Sequence, residues 1–140
     1  MVFLTRRATF SASHYYWNDA WSAEKNQQVF GRCANRNGHG HNYTLEVTLA
    51  GPVDPETGMI ANLGELDPFV EREVIEPFDH RYLNEEVAEF QSAVPTTENL
   101  CRAIFRRLES FPDARLERVR IEETSKNSFE FDGDGRSGEE

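Results

Sequence analysis

The sequence predicts an α+β domain: a four-stranded antiparallel sheet with two helices on one face, in the order β-β-α-α-β-β. Two observations lead there. Apolar residues alternate with period two near both ends of the chain, at 2–13, 42–50, 116–123 and 128–131. Between those runs, residues 63–76 and 97–111 space their apolar side chains three and four apart, as a helix does. With 140 residues, a single domain is expected, and we place it at 1–132. Residues 133–140 hold no apolar side chain and are expected to form a disordered tail.

In the first strand, Val2, Leu4, Arg6, Ala8, Phe10, Ala12 and His14 share a face, so a mostly apolar face ends in an imidazole. Tyr15, Tyr16, Trp17 and Trp21 follow without a period, which reads as a loop with a helical turn near 23–28. The second strand puts His41, Tyr43, Leu45, Val47 and Leu49 on one face and Asn42, Thr44, Glu46 and Thr48 on the other. Gly51-Pro52 ends it, residues 54–58 form a turn, and 59–61 make a short strand-like return.

The first helix uses Leu66, Phe69, Val70 and Val74 as its buried stripe. Pro68 is expected in its first turn, with Asp67 an alternative cap, and Pro77 is expected to stop it. Residues 78–84 read as a connector. Thr96 caps the second helix, whose buried face is Leu100, Ala103, Ile104, Leu108 and Phe111. In the third strand Val119, Ile121 and Glu123 share a face. A turn at 125–127 leads to the fourth.

A net charge of -10 and a pI near 4.9 exclude nucleic acid and anionic membranes as general partners. A local basic patch at Arg32 and Arg36 stands out against that background. There is no apolar run long enough to span a bilayer. Cys33 lies in a loop and Cys101 in a helix, which is no disulfide framework and fits a reducing cytoplasm.

The chemistry gathers around Cys33-Ala-Asn-Arg-Asn-Gly-His39-Gly-His41-Asn-Tyr43. His39 and His41 are two residues apart, an advance of about 6.6 Å along a strand. Glycines 38 and 40 permit close backbone approach. An isolated pair like this is ordinarily two hydrogen-bonded histidines at a strand end. His14, at the end of an apolar face, supplies a third imidazole, and three imidazoles are the ligand set of a catalytic zinc with an open fourth position.

Other residues carry two readings each. Cys33 is a semi-buried loop residue or a thiolate acting as base or nucleophile. Cys101 packs. Asp79-His80 is a turn or a carboxylate orienting an imidazole for proton transfer. Glu123 is a solvated strand end, or an inward carboxylate that a ligand's N–H donors would satisfy. Thr96, Thr97 and Glu98 read from physics alone as a helix cap. No glycine-rich nucleotide fingerprint follows a strand, so NAD(P) and ATP are not expected.

Taken together, several motifs resemble the 6-pyruvoyl-tetrahydropterin synthase family, which includes the 6-carboxy-tetrahydropterin synthases of queuosine biosynthesis. They are Phe10-Ser-Ala-Ser-His14, Cys33-x5-His39-Gly-His41-Asn-Tyr43, Asp54-Pro-x-Thr-Gly58, Asp79-His80-x-x-Leu83-Asn84, Pro95-Thr96-Thr97-Glu98-Asn99 and Glu123-Thr124. The resemblance implies a tunnelling fold, with sheets of three subunits joined into a barrel and two trimers stacked as a homohexamer. Active sites would lie at subunit interfaces. It implies zinc at His14, His39 and His41, and a Cys33, Asp79 and His80 proton relay. Glu123 would hold the pterin, helped by Thr96, Thr97 and Glu98.

The substrate it implies is 7,8-dihydroneopterin triphosphate. The ring is reduced while the side chain is oxidised, so no external redox cofactor is needed. Cys33 lies six residues before His39, the spacing of the pyruvoyl branch. A carboxy product from the same substrate is the alternative. A non-catalytic zinc or pterin-binding module is the alternative of another class, and it would have no need of Cys33, Asp79 or His80.

Overall fold

The computed structural model describes residues 1–133. Of the expected tail, residues 134–140 lie outside the described residues, and Gly133 is buried beside the Phe105 ring. Strand β1 spans Val2–His14, β2 His39–Gly51, β3 Arg81–Tyr82, β4 Arg115–Thr124 and β5 Asn127–Phe131. They form one sheet in the order β3-β1-β2-β4-β5. The four long strands pair antiparallel, as expected. The two-residue β3 is a fifth strand, parallel to β1, inside the stretch read as a connector.

Helix α1 spans Ala23–Phe30 and α2 spans Leu63–Val70. One-turn helices α3 and α4 cover Glu76–Phe78 and Leu83–Glu86, and α5 covers Thr97–Leu108. The core lies between the helices and one sheet face. Phe10, Ala12, Tyr43, Leu45, Val47, Leu49, Val119 and Ile121 meet Leu66, Val70, Val74, Leu100, Ile104 and Leu108 there. The opposite face is polar, with Thr5 bonded to Thr48 and Ser11 to Asn42. Among the described residues no helix is long and apolar enough to cross a membrane.

Three local expectations change. Asn62, not Asp67, caps α2 by accepting from the Gly64 N–H. Asp67 instead takes both ends of the Arg6 guanidinium at 2.7 and 2.8 Å. Pro68 therefore lies beyond the first turn. Residues 59–61 form no strand.

Pro77 does not stop the helix. The chain continues from α2 through a π-helical stretch, Glu71–Ile75, into α3. In an α-helix the residue-77 N–H would serve the Glu73 carbonyl, and proline has none. Arg107 of α5 donates to that carbonyl at 3.3 Å. It also grips Glu89 with two 2.6 Å bonds and lies over Phe78.

Arg107 holds the Glu89 carboxyl below its ordinary range, chiefly through the hydrogen bonds. A depressed carboxyl stabilises above its unfolded pKa and ceases to do so as pH falls through its folded value. Glu89→Gln is expected to lower stability at neutral pH by about 1 kcal/mol, allowing for solvent screening of a half-buried pair. In denaturant titrations that difference from the parent should begin to shrink as pH falls below about 4.3 and vanish only once pH is below the folded value.

Candidate active site

The register of β1 on β2 pairs Phe10 with Tyr43, Ala12 with His41 and His14 with His39. Directly opposed residues share a face, so the apolar core face runs out into three imidazoles. Their ring centroids lie 4.7 to 5.1 Å apart. Glycine is required beside them. Gly38 has φ +69°, and a Cβ there or at Gly40 would meet a β1 carbonyl oxygen at 3.0 Å. Any side chain would push β2 away from the strand that carries His14.

Cys33 reaches the same point from a 3-10 turn, Gly31–Ala34, placed by a 2.6 Å bond from the Tyr16 N–H to the Cys33 carbonyl. Its sulfur is 3.6 Å from His39 Nε2 and 3.8 Å from His14 Nε2, and those nitrogens are 3.3 Å apart. Two nitrogens on one tetrahedral zinc lie about 3.3 Å apart, and nitrogen and sulfur about 3.6 Å. His14, Cys33 and His39 are therefore a group that could hold a metal ion, with all ligand atoms within 4.8 Å of one another. The sequence reading put His41 in the ligand set and Cys33 in proton transfer. The structure gathers Cys33 with His14 and His39, with the His41 ring alongside.

Electrostatics favour neutral imidazoles at His14 and His41. His14 is fully buried, and burial first, then the neighbouring histidines, push its pKa down to about 3. His41 is lowered too, chiefly by burial. A neutral imidazole keeps the lone pair a metal needs. Tyr43, its hydroxyl 3.1 Å from His14 Nδ1, orients the ring so that Nε2 faces the cluster. Burial, then the Glu123 charge, raise the Cys33 thiol above its ordinary value. The thiol is thus protonated at neutral pH, and the thiolate reading requires a cation beside it, as a bound zinc would supply. Both cysteines are free, and Cys101 is buried.

Glu123 stands at a β-bulge. Glu122 pairs with Ser128 and Thr124 with Asn127, which leaves Glu123 the extra residue. A bulge re-aims a side chain, and this one leaves Glu123 half-buried, past the fully buried Val119 and Ile121. Its carboxylate accepts from the Thr97 hydroxyl and, at 3.3 Å, from Asn127. Its charge bears on Tyr16, Cys33, His41 and Tyr43. Of the 96–98 segment, only Thr97 is bonded to Glu123. Thr96 caps α5 by accepting from the Asn99 N–H, and Glu98 is exposed.

Asp79 and His80 form their own pair. The Asp79 carboxylate, held below its ordinary range chiefly by the Ser11 N–H, lies 3.0 Å from His80 Nδ1. The His80 N–H donates to the Ser11 carbonyl along the β1 edge away from β2. His80 has φ +60°, a conformation that costs a non-glycine residue energy, and its side chain is 82% exposed. It lines a cavity of about 510 Å³ together with Ser13, His41 and Tyr82, and Cys33 is not among the lining residues.

Sequence reasoning missed Tyr16. Its ring lies 4.4 Å from that of His14, and its backbone N–H donates to the Cys33 carbonyl. Nothing in an unpatterned aromatic run singles it out.

The 6-pyruvoyl tetrahydropterin synthase family model matches residues 3–134. The chain belongs to that family. It is 40% identical over 132 residues to human 6-pyruvoyl tetrahydrobiopterin synthase, covering 94% of this chain and 91% of the human protein. The solved structure of Caenorhabditis elegans 6-pyruvoyl tetrahydropterin synthase superposes with a TM-score of 0.89 at 40% identity, over 94% of this chain and 95% of that one. A protein named putative 6-carboxy-5,6,7,8-tetrahydropterin synthase, from Archaeoglobus fulgidus, is 39% identical over 85 residues, 61% of this chain and 67% of that protein. Both branches are synthases, so the family makes this chain an enzyme of the lyase kind, with the tunnelling fold.

Proposed function

We propose that the chain is a zinc-dependent lyase that converts 7,8-dihydroneopterin triphosphate to 6-pyruvoyl-tetrahydropterin with elimination of triphosphate. The observation that carries the reading is the convergence of three imidazoles and the Cys33 thiol, with the Glu123 charge acting on Cys33 and His41. The extent of likeness to relatives named for the pyruvoyl product supports that branch over the carboxy one.

His14, His39 and His41 would hold the zinc, with Cys33 beside them and not bound to it. If all four were ligands the site would be closed, as in structural zinc sites, and substrate could not enter. When bound, zinc supplies Lewis acidity to the substrate's side-chain hydroxyls, which acidifies the neighbouring C–H positions and offsets the Glu123 charge at Cys33. Cys33, protonated in the metal-free chain, delivers and recovers a proton at the side chain. Tyr43 fixes the His14 ring.

Glu123 binds the pterin's ring N–H and exocyclic amine, with Thr97 bracing one carboxylate oxygen. Thr96 and Glu98 complete the segment that flanks the ring. The Asp79–His80 pair is poised for proton transfer but is not bonded to Cys33, and His80 is exposed. A homohexamer with interfacial sites gives it an employment: another copy's cluster. A cytoplasmic location suits the two free cysteines.

Glu123→Gln is expected to weaken binding of a non-reactive pterin about tenfold or somewhat more. It turns one acceptor into a donor opposite a donor, a loss of about 1–3 kcal/mol. Calorimetry checks it, and metal content should not change. The overall reading is tested by assaying triphosphate release from 7,8-dihydroneopterin triphosphate. Release should stop when the metal is stripped and return when zinc is restored.

A further inference from the structure

We propose, building on the triphosphate substrate above, that the cleft between α1 and the Cys33 turn seats the substrate's phosphate chain, with Arg32 and Arg36 as its cationic contacts. The cleft has a volume of about 710 Å³ and is lined by Trp17, Gln27, Arg32, Asn35 and Arg36, with no carboxylate among its lining residues. Residues 23–36 hold Lys25, Arg32 and Arg36 against Glu24 alone, in a chain whose net charge is -10. A phosphate chain approaching so acidic a protein is repelled unless local cations receive it.

The arginines here are uncommitted. Elsewhere Arg6, Arg107 and Arg120 pair with carboxylates. Among the described residues, Arg32 and Arg36 make no ion pair. Both are exposed. The Arg36 guanidinium lies over the Trp17 ring, 5.7 Å from its centroid, which orients it and leaves its N–H edge free. Asn35 and Gln27 add neutral donors. Guanidinium groups meet phosphate oxygens with paired, charge-assisted hydrogen bonds.

Position supports the same assignment. Arg32 precedes Cys33 directly, so a phosphate chain held there lies beside the turn that presents the thiol. Two other cavities are poorly suited. The one at His80 contains Arg81, already paired with Glu86. The one beside Asn84 contains Asp19 and no cation.

The probes are inorganic tripolyphosphate and phosphate-free 7,8-dihydroneopterin, titrated calorimetrically into the zinc-loaded parent and into R32A/R36A. The parent should bind tripolyphosphate, more weakly as salt rises. The double variant should bind it about a hundredfold more weakly, roughly tenfold for each arginine. Its affinity for dihydroneopterin and its zinc content should match the parent's, and R32K/R36K should recover part of the tripolyphosphate affinity. Unchanged tripolyphosphate binding in R32A/R36A overturns the site, as does an equal loss for phosphate-free pterin. If the parent eliminates no triphosphate yet binds tripolyphosphate in this arginine-dependent way, the lyase reading fails and the anion site stands.

Discussion

Cys33→Ala is expected to keep its zinc and lose about a hundredfold or more of its turnover. The thiol is 3.6 and 3.8 Å from the two facing imidazole nitrogens, close enough to serve either as a ligand or as a proton carrier. The roles differ in what the variant loses. A positioned acid–base group contributes about 10²–10⁴ to the rate and nothing to metal affinity. A ligand contributes to both. With three imidazoles at hand, metal retention is the outcome an open site requires. Metal analysis of the purified variant and its turnover under saturating substrate separate the two. Loss of zinc would make Cys33 a ligand and would remove it from proton transfer.

The second large effect is at His39. His39→Ala is expected to lose zinc and activity together while remaining folded. The side chain is half-buried at the first position of β2, so little core packing goes with it. Removing residues that only orient a ligand weakens metal binding about 10–100-fold, and removing a ligand should exceed that. His14→Ala is a poorer test. His14 is fully buried and bonded to Tyr43, so stability falls along with the metal. Thermal melting beside metal analysis shows whether His39→Ala keeps its fold. A variant with unchanged zinc content would take His39 out of the site.

Much of this was legible in the sequence because the strands are amphipathic and half-buried. Period two located the four long strands to within a few residues, and it put His14, His39 and His41 on the core face. The same phase carried Glu123 past Val119 and Ile121, although the bulge that aims it was not visible. What side-chain pattern does not encode was missed. β3 is two residues of backbone pairing with no alternation to read. The helix passes Pro77 because Arg107, thirty residues on, serves the carbonyl that proline leaves unpaired. The convergence of Cys33 on the imidazoles depends on a 3-10 turn and one backbone bond from Tyr16, neither of which has a sequence signature.

The most direct measurement is the mass of the pterin formed when the zinc-loaded protein is incubated with 7,8-dihydroneopterin triphosphate. A product that has lost the triphosphate and kept all three side-chain carbons, as a pyruvoyl group, is the expected result. A carboxy product with a two-carbon fragment released as acetaldehyde, or unchanged substrate with zinc still bound, would contradict it.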